Sequence, residues 1–216
     1  GKTFSCPIWL CKEIMERGAG DYIAASADFG LMQKKMIPAL KELFCRELGY
    51  QHLKGDRFIV NEKAGVTIFL CTGFRPDSLE SATAKAAWCD EWGQDGVTLE
   101  AWDAVVRRVG HHQGRILLTH TPYNLSWTKT EIYDRWKGGD PHYEVINFSF
   151  LDNPTNPPEE YYRRQKEMPD WKFQMFYNGV YTRPSGLIYS DFDESKHLVK
   201  AFKIPDTWRR YVGVDF

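Results

Sequence analysis

No two cysteines in this chain are spaced C-x-x-C, although there are five: Cys6, Cys11, Cys45, Cys71 and Cys89. They stand mostly in apolar surroundings, which fits core thiols in a reducing compartment better than disulfides or a zinc cluster. No apolar run approaches a membrane span and no signal-peptide pattern is present, so a cytoplasmic protein is expected. Net charge is only −1, so no global positive field draws in nucleic acid, and any basic patch must be local. Repeats and low-complexity tracts are missing too. What is present is ordinary for a folded chain: 216 residues, 43% hydrophobic and 26% charged, enough for one domain or one and a half.

The organising stretch is Ala86-Ala87-Trp88-Cys89-Asp90-Glu91, a mostly apolar run ending in two carboxylates. It reads as a buried strand with its acids at the carboxyl end, where open α/β sheets bind ligands. In a nucleotide-hydrolysing site the first acid would help hold Mg²⁺ and the second would orient water. Solvated acids at a strand-to-helix turn give the same pattern. Two further stretches bear on the choice. Gly1-Lys2-Thr3 matches the last three residues of the phosphate-loop pattern G-x-x-x-x-G-K-[ST] and precedes a helical pattern, although a frayed terminus would look alike. Arg115-Ile116-Leu117-Leu118-Thr119-His120-Thr121-Pro122 reads as a second buried strand, whose Thr119 and Thr121 either sense a γ-phosphate or cap a turn.

Along the chain, residues 4–17 form an amphipathic helix with Pro7 in its first turn, and Tyr22–Ser26 a strand. A long helical pattern from Leu31 to Leu48 is expected to kink or split at Pro38. Arg57–Val60 and Val66–Cys71 suggest a hairpin. Helices are expected at about Leu99–Val109 and from Ser126 or Thr128 to Lys137, and a strand at Val145–Phe150. After Asp152 a proline-rich turn opens two short helices, 159–168 and from Pro169 to about Phe176, followed by an irregular connector with a possible short strand at Leu187–Ser190. Strands alternating with helices argue a parallel α/β sheet.

Other candidates carry a plainer reading beside the functional one. Arg75, and the pair Arg107-Arg108, suit either an arginine finger or a solvated surface. His111-His112 have no metal-ligand spacing and are taken as solvated or core residues. Tyr161-Tyr162-Arg163-Arg164 fits a nucleic-acid backbone, or a helix with packed tyrosines and solvated arginines.

Taken in order, these stretches resemble the large terminase subunit of tailed bacteriophages, the motor that packages viral DNA. The resemblance covers essentially the whole chain. It rests on Gly1-Lys2-Thr3, Cys89-Asp90-Glu91, Thr119-His120-Thr121-Pro122, the Asp152-Asn153-Pro154 turn with its helical lid, and Tyr211-Val212-Gly213-Val214-Asp215-Phe216. It implies an α/β P-loop NTPase of RecA-like fold, a mostly parallel sheet with flanking helices. The implied division is an ATPase core over 1–152, a lid and connector over 153–205, and the first strand of a ribonuclease-H-like nuclease over 206–216. ATP and Mg²⁺ are the implied cofactors, with Gly1, Lys2, Thr3, Thr119 and Thr121 around the nucleotide and Thr3 and Asp90 on the metal. Glu91 would be the catalytic carboxylate, and Arg75, by neighbourhood only, would complete another subunit's site. Asp215 would be the first ligand of a divalent metal in the nuclease. Implied partners are double-stranded DNA, the portal protein, the small terminase subunit and further copies in a ring, in the host cytoplasm at the procapsid portal.

The chain also departs from the family pattern. The upstream half of the phosphate loop and the remaining nuclease acids are absent, and Leu79-Glu80-Ser81 lacks the arginine often found there. A fragment is therefore expected, with weak or no ATP hydrolysis from residues 1–216 alone. Two rivals stay open. A DEAD-box-like helicase shares Gly-Lys-Thr and Asp-Glu, but Trp92-Gly93 follow here where Ala-Asp or His-like residues are wanted. A degenerate P-loop docking module would need no catalysis at all.

Overall fold

The computed structural model describes residues 2–53, 55, 58–79, 83–183 and 197–209, with Thr3 described through its backbone alone. Helix α1 (Lys2–Arg17) leads into β1 (Gly20–Ser26), and a long helical segment α2 follows over 29–47. Next come β2 (Gln51–Leu53), β3 (Phe58–Asn61), β4 (Val66–Thr72), β5 (Ala84–Asp90), α3 (Leu99–Gly110) and β6 (Arg115–Thr119). A helical segment α4 over 129–137 and the helices α5 (Pro158–Glu167) and α6 (Asp170–Tyr177) complete the order.

The six strands form one sheet in the order β2-β3-β4-β1-β5-β6. Strands β4, β1, β5 and β6 run parallel, while β2 and β3 are antiparallel. The mostly parallel α/β sheet is thus as expected. Side-chain alternation divides its core into two layers. Tyr22, Ala24, Ile68, Leu70, Ala86 and Trp88 pack with Cys6, Leu10 and Ile14 of α1 and Met32, Met36, Leu40 and Phe44 of α2. Ile23, Ala25, Cys71, Ala87 and Cys89 pack on the other face with Ala101, Ala104 and Val105 of α3. Each large side chain fully withdrawn from water, such as Trp88 or Phe44, contributes about 1.5–3 kcal/mol. The alanines of β1 and β5 let helices approach both faces of the central strands.

Several local expectations change. Helix α1 begins at Lys2, so Pro7 lies inside it rather than in its first turn. Segment α2 continues through Pro38 instead of splitting. The wide π-helical turns at Met32–Met36 and Lys41–Glu47 on either side accommodate a residue that cannot donate a backbone hydrogen bond. The strand expected at Val145–Phe150 is absent: Ile146 and Phe148 are exposed, and the segment is tied instead by Asn147 Nδ2 donating to Asn178 O at 2.9 Å. Apolar alternation there had no strand to pair with. The hairpin holds as β3–β4, joined by the unforeseen edge strand β2.

Ion pairing secures α1 to the sheet. The Glu13 carboxylate is fully buried, accepts from Arg17 Nε at 2.9 Å, and also accepts from Arg115 at the start of β6. Lys85 Nζ donates to Arg17 O at 2.8 Å. Helices α5 and α6 share an aromatic cluster in which Phe173 lies 5.1 Å from Tyr177 and 4.9 Å from Tyr161. The Tyr161 hydroxyl donates to Asn178 Oδ1 at 2.9 Å. Arg163 and Arg164 pair with Glu160 on the exposed side, but of the two tyrosines only Tyr161 packs inward, while Tyr162 is exposed.

The chain separates into two compact units, Gly1–Arg183 and Pro184–Phe216. In the second, Trp208 N–H donates to Pro205 O at 3.1 Å and the Trp208 ring lies 6.1 Å from that of Phe202. The expected strands at Leu187–Ser190 and Tyr211–Phe216 lie outside the described residues. Among the described residues no helix is long and apolar enough to cross a membrane.

Candidate active site

Four parallel strands end side by side, and their registers align one polar residue on each. Thr72 of β4 lies opposite Ser26 of β1, Ser26 opposite Asp90 of β5, and Asp90 opposite Thr119 of β6. Ser26, Thr72 and Asp90 are all buried. Residues in register on a sheet share a face, and by alternation from Ala24 and Trp88 this face is the one under α1. The Thr119 hydroxyl donates to Asp90 Oδ1 at 2.6 Å, a short charge-assisted bond that fixes the carboxylate at the strand end.

Helix α1 brings its first turn to this row. Buried Cys6 bonds to Thr119 through its thiol, whose pKa is pushed up to about 11 by burial, with the Asp90 charge adding. The Lys2 ammonium acts on both Cys6 and His120, lowering the pKa of each. The backbone of Thr3 lies between Lys2 and Cys6 in the same helical stretch. An amine, a hydroxyl and a carboxylate from three distant segments thus share one end of the sheet.

Glu91 leaves the strand abruptly. Its φ of 57° places it in the left-handed region, which a side chain other than glycine's occupies only under local constraint. Continued as strand, the chain would send Glu91 to the face opposite Asp90. The turn instead leaves it beside α2, with Oε1 3.8 Å from Lys35 Nζ and its side chain 13% exposed. Its other oxygen, Oε2, is buried and has no hydrogen-bond partner among the described residues. A buried carboxylate oxygen left unpaired among the described residues, on the residue that follows Asp90, marks this strand end as a candidate ligand site.

His120 is the half-buried imidazole beside this turn. Its pKa is lowered from 6.5 to about 4, chiefly by burial, with the Lys2 charge adding. Between pH 6.5 and about 4 the unfolded chain therefore holds a proton that the folded chain does not. Stability through this group is complete above that window and is lost as pH falls across it. We expect the thermal midpoint to drop more steeply with acidification in the parent than in His120→Gln. Parallel slopes would contradict this.

The remaining candidates disperse. Arg75 stands exposed in the turn after β4, two strands from Asp90, and its guanidinium makes no hydrogen bond or ion pair among the described residues. Thr121 presents its carbonyl 3.1 Å from His120 Nδ1, and among the described residues its hydroxyl makes no hydrogen bond to a site residue. Arg107 and Arg108 lie in the last turn of α3, which leads to the start of β6, the far end of the sheet from Asp90. His111 and His112 pack edge to face with each other at 4.8 Å. Gly1 and Asp215 lie outside the described residues. Sequence reasoning missed Ser26, Thr72, Lys35 and Tyr181. The first two were visible only as polar residues closing apolar runs, and the last two carried no local signal.

No protein-family profile matches the sequence, and no curated protein matches it. Solved structures do match. The large terminase of a thermophilic bacteriophage aligns over 95% of this chain and 52% of its own, with TM-score 0.71 and 19% identity. That protein is also known in complex with ATP-γ-S and with ADP. The large terminase ATPase domain of Thermus phage P74-26 aligns over 84% of each chain, with TM-score 0.68 and 18% identity. The HK97 bacteriophage large terminase gives TM-score 0.61 at 14% identity, over 84% of this chain and 44% of its own. This chain therefore has the fold of a phage large-terminase ATPase domain, and it spans about half the length of the thermophilic phage's protein.

Proposed function

We propose that this chain is the ATP-hydrolysing part of a viral DNA-packaging motor. The observation that carries the proposal is the Asp90–Thr119 pair, in register at 2.6 Å beneath the first turn of α1, with Glu91 held in a strained turn beside it. Lys2 would set its ammonium against the β- and γ-phosphates, where charge accumulates as the terminal phosphoryl leaves. The donors here are hard oxygens, a carboxylate with hydroxyls, which would suit Mg²⁺. Asp90 and the Thr3 hydroxyl would hold it, and when bound it supplies positive charge against the developing phosphate charge. Glu91 Oε2, buried and unpartnered among the described residues, accepts a hydrogen bond from the attacking water and aims it in line. Thr119 and Thr121 sense the γ-phosphate. The exposed Arg75 is free to serve a neighbouring copy in a ring.

In the motor so proposed, hydrolysis shifts the Thr119–Pro122 strand end and the lid of α5 and α6, moving double-stranded DNA. The portal protein and small terminase subunit are the partners, in the host cytoplasm. For the intact gene product the proposal extends to a metal-dependent nuclease beginning at Asp215. The test is titration of a non-hydrolysable ATP analogue with Mg²⁺ into the intact gene product. Saturable binding is expected, weakened roughly tenfold, or about 1.4 kcal/mol, in Asp90→Asn. Absence of binding would reject the proposal and leave a docking module.

A further inference from the structure

The loop after Glu91 is fastened to the end of β6 and the segment that follows it at four places. Trp92 N–H donates to Thr119 O at 3.3 Å, Asn124 Nδ2 donates to Asp95, and Trp127 Nε1 donates to Val97 O at 2.8 Å. The fourth is a contact without a hydrogen bond: a Cβ at Gly93 would stand 2.4 Å from His120 Nδ1 and 3.0 Å from Thr121 O. His120 therefore lies against backbone two residues beyond Glu91, at a position where only glycine fits.

The imidazole is itself held from both ends. A carbonyl can only accept, so Nδ1 carries the proton and donates to Thr121 O at 3.1 Å. Nε2 is then an acceptor, and it lies 3.1 Å from the Tyr181 hydroxyl. That hydroxyl also lies 2.9 Å from Oγ1 of the buried Thr128. Tyr133 packs its ring 5.1 Å from that of Tyr181. The next residue, Thr182, donates its hydroxyl to Trp171 O in α6 at 2.8 Å. A chain of contacts thus runs from α6 through Tyr181 and His120 to Gly93 and the Glu91 turn.

We infer that His120, wedged on Gly93 and oriented by the Tyr181 hydroxyl, is a positioning residue that holds Glu91 in its left-handed turn. The inference rests on the reading of Glu91 as the group that aims water. Left-handed backbone at a glutamate persists only where its surroundings enforce it, and the wedge is such an enforcement. Loss of the Tyr181 hydroxyl leaves the imidazole free to rotate off Gly93. The turn then relaxes, and a carboxylate displaced by a fraction of an ångström aims water poorly. Contact with α6 makes the same wedge responsive to the lid.

The test compares ATP turnover by the intact gene product in the parent, Tyr181→Phe, His120→Gln, His120→Ala and Glu91→Gln, with deuterium exchange at the Trp92 and Gly93 amides. Tyr181→Phe keeps the ring and should fold. It is expected to lower kcat roughly tenfold with KM for ATP little changed, and to speed exchange at Trp92 and Gly93. Glutamine can offer Tyr181 an acceptor, so His120→Gln should retain more turnover than His120→Ala. Parental kcat and parental exchange in Tyr181→Phe would overturn the inference. Undiminished turnover in Glu91→Gln would instead reject the reading of Glu91, and the exchange rates would still decide whether His120 holds the turn.

Discussion

Glu91→Gln is expected to reduce ATP turnover by at least about a hundredfold while leaving nucleotide affinity nearly unchanged. The substitution keeps the volume of the side chain and one carbonyl oxygen, but removes the negative charge proposed to orient the attacking water and accept its proton. The backbone turn does not depend on the side-chain charge, so the site keeps its shape. Lys35, half exposed, loses an ion pair at 3.8 Å, a separation worth little in water. The binding groups proposed on Lys2, Asp90 and Thr119 are untouched. The expected signature is therefore a fall in kcat alone, which marks an interaction made only in the transition state. Single-turnover hydrolysis alongside analogue binding measures both quantities. Turnover close to the parent's would remove Glu91 from the chemistry and leave its orphaned oxygen without a role.

The contrast between Asp90 and Glu91 shows what was legible in the chain alone. Asp90 ends a buried apolar run, and such runs announce both a strand and the position of its last side chain. Its partner Thr119 was visible in the same way, as the end of a second run, although their mutual hydrogen bond was not. Glu91 was legible as an acid but not as a left-handed residue, since nothing in Cys-Asp-Glu-Trp asks for positive φ. The enforcement comes from His120 and Gly93, which meet only after β5 and β6 pair. Tyr181 stands sixty-one positions from His120, and no periodicity joins them. The misread stretch Val145–Phe150 has the converse cause: it alternates well enough for a strand, but strand formation requires a partner edge. Three-residue β2 had the partner without the pattern. The central parallel strands and both lid helices were legible because burial on both faces, or turn residues at both ends, marked them locally.

Gly114→Ala is expected to destabilise the fold by roughly 3 kcal/mol, lowering the thermal midpoint by about 10 °C. A Cβ at this position would stand 2.0 Å from Lys85 O and 2.7 Å from Val109 Cγ1. The carbonyl belongs to β5, so no side-chain rotation relieves the overlap, and one strand must move. Gly114 immediately precedes β6, whose pairing of Arg115 with Ala86 sets Thr119 opposite Asp90 four residues later. A shift at the start of β6 is thus carried to the strand end, and loosening of the 2.6 Å Asp90–Thr119 bond should accompany the loss of stability. Gly110→Ala is the control. That glycine closes α3 with nothing within 4 Å of its would-be Cβ, so alanine there should be neutral or stabilising by up to about 1 kcal/mol. Four residues apart, the same added methyl group then acts in opposite directions. If both variants melted together, the close approach of β6 to β5 at Lys85 would be refuted, and with it the register that sets Thr119 against Asp90.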